Sequence, residues 1–172
     1  HEIGLNIDAM TAYKFLLKFV LINNNTIHLF GRSLGAAVCI SLANNIIKQK
    51  DYNLPSDDDL KSSLTLPCSI IIENTFTNIK DMTYILGYQF YAPLIRYIMS
   101  KKWLKSIIDL FLSLFLTNHW NNLHFIQQIN IPILFISGLC DELIPPKQMQ
   151  QLYSQVKHSN KQMYTVKHGQ HN

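Results

Sequence analysis

The pentapeptide Gly31-Arg32-Ser33-Leu34-Gly35 is the segment whose residue types and spacing best fit catalysis. It has the pattern G-x-S-x-G and lies between a short apolar stretch typical of a strand and an alanine- and isoleucine-rich stretch typical of a helix. A serine hydroxyl is a weak nucleophile unless it is exposed, oriented and close to a base. A sharp strand-to-helix turn presents the serine at the edge of a sheet, so the pattern predicts Ser33 as a nucleophile.

Such a serine requires an acid and then a histidine later in the chain. Asp141 follows the predicted strand Ile131–Gly138 after a short turn, and His171 follows the predicted strand Gln162–Val166. The carboxyl ends of parallel strands meet at one edge of a sheet. The chain order therefore predicts Asp141 and His171 as the acid and the base.

The residue types alone leave other choices open. Glu142 neighbours Asp141, and Glu73 ends an earlier predicted strand, so each glutamate is an alternative acid. His168 competes with His171 as the base. Because no third ligand stands at metal spacing from these two histidines, we expect no metal site.

Several segments, in this order, carry a family resemblance: Gly31–Gly35, Glu73–Thr77, Ser137–Pro146 and His168–Asn172. They resemble motifs of the bud-emergence (BEM-forty-six) family of serine hydrolases, in particular its branch of alpha/beta-hydrolase domain-containing protein thirteen. The resemblance implies an α/β-hydrolase fold and a catalytic triad of Ser33, Asp141 and His171, with His171 and not His168 as the base.

With this triad and an apolar lid, the expected activity is cleavage of carboxylic esters through an acyl-enzyme intermediate, without a cofactor. The substrate would be a small-molecule ester or an acylated molecule. An acyl-protein thioesterase (S-depalmitoylase) or a serine peptidase on the same triad is an alternative, as is a non-catalytic hydrolase-fold interaction protein. The backbone N–H of Leu34, the residue after the nucleophile, is the expected oxyanion donor.

The sequence departs from the family at a few points. Ala36 stands where a second glycine is usual, and Asn121 stands where an acidic residue commonly follows the tryptophan. The first strands of the family and the loop that supplies the other oxyanion donor are absent. We therefore expect a C-terminal part of a hydrolase domain, poorly active alone.

The elements that must position these residues alternate along the chain. The predicted strands are Thr26–Phe30, Ser69–Glu73, Ile131–Gly138 and Gln162–Val166, and the predicted helices are Asn6–Leu21, Leu34–Lys48 and Pro146–Val156. Asn6 is a plausible N-cap for the first helix. Alternation of this kind predicts one α/β domain over residues 1–172, with a mainly parallel sheet covered by helices on both faces.

Two further segments differ in composition. Residues 49–67 are polar and predict a surface insertion, and residues 80–120 are rich in aromatic and aliphatic residues and predict a helical lid. The apolar side chains of this lid fit two interpretations, ordinary packing on the sheet and an acyl-chain pocket. In the second interpretation, the lid also makes peripheral contact with a membrane through its cations. These cations are Arg96, Lys101, Lys102 and Lys105. The expected location is intracellular, with membrane association through a missing N-terminal segment.

Composition excludes some classes of function. The net charge of +4 comes from scattered basic residues without a basic stripe, so nucleic acid is not an expected partner. Cys39, Cys68 and Cys140 form no CxxC pair, which is typical of reduced thiols in an intracellular protein.

Overall fold

The computed structural model describes residues 2–19, 27–51, 65–90, 97, 100–104, 106–107, 110 and 120–171. Helices and strands alternate along most of these ranges. In chain order the elements are α1 (Glu2–Phe19), β1 (His28–Arg32), α2 (Leu34–Asp51), β2 (Ser69–Glu73), α3 (Ile79–Phe90), α4 (Asn122–Ile126), β3 (Ile133–Gly138), α5 (Pro146–Gln155) and β4 (Lys161–Val166).

The four strands in the described part of the chain form one parallel sheet in the order β1-β2-β3-β4. Arg32 pairs with Glu73 at the carboxyl end of β1, and Gly138 pairs with Val166 at the carboxyl end of β3. Parallel strands end at a common edge, which is where open α/β sheets hold their ligands. The turns after β1, β2, β3 and β4 therefore meet at this edge.

One face of the sheet carries the main core. Ile70, Ile72 and Phe135 are fully buried there, packed against side chains of α2, α4 and α5. On the opposite face Phe30 is 61% exposed and Tyr164 is 64% exposed. The helices that contribute to this core, α2, α4 and α5, therefore lie on one face of the sheet.

Helix α1 begins at Glu2, so the prediction that Asn6 is its N-cap was wrong. The cap was inferred from residue type alone, and residues 2–5 contain no proline to stop the helix. The helix is held by Tyr13, which is 2% exposed and whose hydroxyl donates to the Thr65 carbonyl oxygen at 2.7 Å.

The boundaries around the serine turn also differ from the prediction. Strand β1 continues to Arg32, because Gly31 and Arg32 still pair with Ile72 and Glu73. The turn therefore begins at Ser33. Helix α2 runs to Asp51, three residues into the predicted insertion.

The remainder of that insertion, residues 52–64, lies outside the described residues. The last two residues of the predicted insertion are not on the surface, because Leu66 packs against the core and Pro67 is buried. Helix α3 accounts for the first part of the predicted lid. Residues 91–96, 98–99, 105, 108–109 and 111–119, including Arg96 and Lys105, lie outside the description.

Candidate active site

Ser33 occupies the turn between β1 and α2 with an unusual backbone conformation. Its φ is 54°, in the left-handed region that non-glycine residues rarely adopt. The surroundings hold it there: its N–H donates to the Glu73 carbonyl oxygen at 2.9 Å, and its carbonyl oxygen accepts from the Thr75 hydroxyl at 2.8 Å. A half-buried serine in a strained strand-to-helix turn has the geometry of a nucleophile elbow.

The two glycines flanking Ser33 differ in how much space surrounds them. A Cβ at Gly31 would collide with the backbone of Gly35 and Ala36, so only glycine fits there. A Cβ at Gly35 would meet nothing within 4 Å. Close approach of helix α2 to strand β1 therefore requires a glycine at position 31 and not at position 35. Ala36, which replaces a usual glycine of the family, is fully buried in the core.

Asp141 and His171 are brought together from turns after β3 and β4. The His171 Nδ1 atom lies 2.8 Å from Asp141 Oδ2, and the two residues are 7% and 8% exposed. The second carboxylate oxygen, Oδ1, accepts from the backbone N–H groups of Leu143 and Ile144 at 2.8 and 2.7 Å. An ionised carboxylate can only accept, so a hydrogen bond at this contact is donated by Nδ1, and in the neutral form of the ring Nε2 then has the lone pair.

The alternative residues occupy other positions. Glu142 accepts from the backbone N–H of His171 at 3.3 Å, so it contacts the main chain and not the ring. Glu73 is half-buried at the end of β2, where its carbonyl oxygen receives the Ser33 N–H. His168 is exposed.

Ser33 and His171 are linked through the turn after β2. Thr75 donates to the carbonyl oxygen of Ser33, and the neighbouring Asn74 donates from Nδ2 to the carbonyl oxygen of Gln170 at 3.1 Å. No direct hydrogen bond joins the Ser33 hydroxyl to the His171 ring in the described structure. Such bonds are often long without substrate and tighten in the reacting complex.

Leu34 is the first residue of α2. The first backbone N–H groups of a helix have no acceptor within that helix. The Leu34 N–H, next to the serine, is therefore free of intrahelical bonds and suited to stabilise negative charge on a substrate oxygen.

The sequence did not predict the residues that connect the turn after β2 to helix α5. Thr75 N–H approaches the Met149 sulfur at 3.2 Å, and Thr77 donates to Gln148 Oε1 from both its N–H (2.8 Å) and its hydroxyl (3.1 Å). The turn after β2 is thereby fixed to α5. Its sequence, Glu73–Thr77, was one of the family motifs, but a motif does not say which member makes which contact.

One departure from the family has a local explanation. Asn121 is the N-cap of α4, and its side chain accepts from the His124 N–H at 3.3 Å. Asparagine and aspartate cap helices about equally well. The replacement of an acidic residue by Asn121 therefore keeps the cap.

Cys39, Cys68 and Cys140 are free thiols. Across the described ranges, no three side chains of His, Cys, Asp or Glu are grouped as metal ligands would be. None of the helices within those ranges combines the length and the apolar character that crossing a membrane requires.

Two curated proteins are similar to this chain over most of its length. It is 33% identical over 159 residues to alpha/beta hydrolase domain-containing protein WAV2 of Arabidopsis thaliana, covering 92% of this chain and 44% of that protein. It is 31% identical over 173 residues to Protein bem46 of Schizosaccharomyces pombe, covering 99% and 46%. The chain thus spans about half the length of these curated relatives, and the resemblance to the bud-emergence family is confirmed.

Solved structures share the fold. An acetyl xylan esterase from Paenibacillus sp. R4 superposes with a TM-score of 0.62 at 15% identity, over 97% of this chain and 46% of that one. The Pyrococcus furiosus esterase Pf2001 superposes with a TM-score of 0.59 at 22% identity, over 94% and 51%. The predicted α/β-hydrolase fold is confirmed.

The family described as "Serine hydrolase (FSH1)" matches residues 6–172, which is nearly the whole chain. This match includes the serine turn and the turns after β2, β3 and β4. The chain therefore belongs to the FSH1 serine hydrolase family.

Proposed function

We propose that the protein is a serine esterase that cleaves carboxylic esters through Ser33, His171 and Asp141. The observation that carries this proposal is the 2.8 Å contact between the ring of His171 and the carboxylate of Asp141, both buried. A neutral imidazole oriented by a carboxylate, at the sheet edge that also holds a strained serine turn, supports general-base activation of that serine.

In the proposed reaction, His171 Nε2 takes the proton of Ser33 Oγ as that oxygen bonds to the acyl carbon. The carbonyl oxygen becomes negative and is stabilised by the Leu34 N–H. Collapse breaks the ester bond, and the departing alcohol takes the proton from His171. Water then attacks the acyl-serine with His171 as base, which releases the carboxylic acid and restores the hydroxyl of Ser33.

Esters are the proposed substrates because the segment 80–120 is rich in apolar and aromatic residues, which suits an acyl chain better than a charged group. Thioesters of acylated proteins and peptides remain the alternatives on the same three residues. The reaction uses no cofactor. Peripheral membrane contact through that segment, and membrane association inside the cell, also stay predictions, with Lys101, Lys102 and Trp103 exposed in its described part.

The test is steady-state hydrolysis by the full-length protein of p-nitrophenyl esters of increasing chain length, an S-palmitoylated peptide and an unmodified peptide. We expect ester turnover that falls by at least about 10⁴-fold in Ser33→Ala. Ser69→Ala is the matched control, since Ser69 lies at the opposite end of the sheet, bonded to His28.

The outcomes separate the alternatives. Faster cleavage of the palmitoylated peptide than of any ester would assign a thioesterase. Cleavage of the unmodified peptide would assign a peptidase. No turnover of any substrate, or equal turnover by Ser33→Ala, would contradict the proposal and favour an interaction protein.

A further inference from the structure

Asn74 lies at the edge of the sheet where the candidate active site is located. Its side chain and its backbone N–H connect the turn after β2 with the end of β3 and with the turn that carries His171. Asn74 is 3% exposed and has a φ of 42°. Its Oδ1 accepts from the Gly138 N–H at 2.8 Å, and its Nδ2 donates to the Gln170 carbonyl oxygen at 3.1 Å. Its own N–H donates to the Ile136 carbonyl oxygen at 3.1 Å. A residue from the end of β2 thus binds the end of β3 and the residue directly before His171.

The segment that Asn74 reaches, residues 167–171, is also held by the contact of the His171 ring with Asp141 at 2.8 Å and by a few main-chain bonds. Gly169 N–H donates to Val166 at 3.0 Å, and its carbonyl oxygen accepts from the Cys140 N–H at 2.9 Å. The His171 N–H has a longer bond of 3.3 Å to Glu142. The Gln170 carbonyl oxygen, one peptide bond from His171, receives its bond from Asn74.

The neighbouring residue continues the link toward the nucleophile. Thr75, fully buried, donates from its hydroxyl to the Ser33 carbonyl oxygen at 2.8 Å. The dipeptide Asn74-Thr75 therefore contacts the backbone of the serine turn on one side and the backbone of the histidine turn on the other.

We propose that Asn74 is a positioning residue that fixes the His171 turn relative to Ser33. The proposal rests on the proposed function, in which His171 must reach the Ser33 hydroxyl. No hydrogen bond holds that pair in the described structure, so their relative placement depends on the backbones that carry them. Small displacements at such a site lower the rate strongly, by as much as about a hundredfold for 1 Å.

The chemistry of the site accounts for asparagine at this position. The side chain must accept from Gly138 and donate to Gln170, which an amide does with its two ends. An ionised aspartate can accept from Gly138 but has no proton for the Gln170 carbonyl oxygen. Asparagine, aspartate and glycine all tolerate a positive φ, so these substitutions change the side chain without forcing the backbone.

Two variants of the full-length protein test the role. Asn74→Gly removes both side-chain bonds, and Asn74→Asp, studied at pH 8, keeps the Gly138 bond and loses the Gln170 bond. Asn78→Gly is the matched control: Asn78 lies in the same turn, but its side chain bonds Asp81 in the first turn of α3.

The first readout is hydrogen–deuterium exchange of residues 167–171, which does not depend on activity. We expect faster exchange there in both Asn74 variants and wild-type exchange in Asn78→Gly. The second readout is ester hydrolysis, where we expect kcat to fall about ten- to a hundredfold with KM unchanged. A merely structural residue would not separate kcat from KM in this way.

Wild-type exchange of this segment in Asn74→Asp would overturn the inference, as would wild-type kcat in that variant. An inactive wild-type protein would instead contradict the proposed function, and exchange alone would then decide the role of Asn74. If Asn74→Gly does not fold, Asn74→Asp gives the same decision.

Discussion

The two carboxylate oxygens of Asp141 serve different neighbours. Oδ1 accepts from the N–H groups of Leu143 and Ile144, and Oδ2 contacts the His171 ring. The two backbone bonds fix the plane of the carboxylate, and the carboxylate in turn fixes the ring. The orientation of the proposed base is therefore determined by the turn that follows β3.

Asp141→Asn should lower kcat by about 10⁴-fold, because an amide nitrogen facing Nδ1 favours the wrong imidazole tautomer. Glu142→Gln is the control, since a glutamine oxygen can still accept from the His171 N–H. Glu73→Gln tests the other alternative acid. Steady-state kinetics with an ester measures all three, and a loss in either glutamate variant as large as in Asp141→Asn would contradict the assignment.

Cys39 and Cys140 should differ in reactivity. Burial raises the pKa of the Cys39 thiol from its ordinary value of 9.0 to about 11, whereas Cys140 is exposed. At pH 8 only about one Cys39 in 10³ is thiolate, and the thiolate is the nucleophile. Iodoacetamide at pH 8, followed by peptide mass spectrometry, should modify Cys140 and spare Cys39.

The same shift links Cys39 to stability at high pH. The folded state holds the proton more tightly, so this contribution is complete below pH 9 and is lost as the pH rises toward 11. Early alkylation of Cys39 at pH 8 in the folded protein would show that the thiol is not buried.

At the scale of elements, the turn after β4 rests directly on the last residue of β3. A Cβ on Gly138 would lie 2.5 Å from the carbonyl oxygen of Gly169 and 3.2 Å from that of Gln170. The restriction is spatial, because the φ of Gly138 is not positive. The absence of a side chain at the end of one strand thus sets where the His171 turn can lie.

Gly138→Ala should therefore displace that turn, with a loss of about 1–3 kcal/mol in the free energy of unfolding and of about a hundredfold in kcat. Gly4→Ala in α1 is the contrast, since its added Cβ meets nothing within 4 Å and should stabilise the helix by about 1 kcal/mol. Thermal unfolding and ester kinetics of both variants check this, and full activity in Gly138→Ala would contradict it.

The end of α5 is held by a residue from the next strand. Lys161 Nζ donates to the carbonyl oxygens of Tyr153 and Val156 at 2.9 and 2.7 Å, and lies 4.6 Å from the centroid of the Tyr153 ring. A cation bonded to the last carbonyl groups of a helix stabilises its negative end. The first residue of β4 thus also caps α5.

Lys161→Met should lower the free energy of unfolding by about 1–2 kcal/mol, since it removes both bonds and leaves the carbonyl groups partly buried. Lys157→Met, at an exposed lysine, should change it little. Chemical denaturation measures the difference, and equal midpoints for the two variants would show that the cap contributes nothing.

At the scale of the whole molecule, the described helices and the sheet bury one apolar face and leave Phe30 and Tyr164 largely exposed on the other. Parallel sheets are usually covered on both faces. The chain spans about half the length of its curated relatives. We therefore place every activity test in the full-length protein.

The sequence predicted the four strands and their parallel arrangement because strands and helices alternate along the chain. Chain order put Ser33 and its proposed partners after strands, and the choice among the alternative acids and bases came from the family resemblance. The strand Ser69–Glu73 was predicted with the bounds that the structure shows, because its three isoleucines are consecutive and stand between two polar residues. The role of Asn74 was not predictable in this way. Its partner Gln170 is 96 residues distant in the chain, and no periodicity or motif indicates such a contact.

The ends of helices and strands were also predicted poorly, because the residues that determine them are distant in sequence. Gly31 and Arg32 belong to β1 through pairing with β2, which no local signal shows. Asn6 has the residue type of a cap but lies within α1. Residue preferences at helix ends are weaker than tertiary packing.

The most direct measurement of the central claim is reaction of the full-length protein with a fluorophosphonate, with the modified residue mapped by mass spectrometry. We predict a single adduct on Ser33, formed much more slowly in His171→Gln and at the wild-type rate in His168→Gln. An adduct on another serine, or labelling of His171→Gln at the wild-type rate, would contradict the assignment of Ser33 and His171 as nucleophile and base.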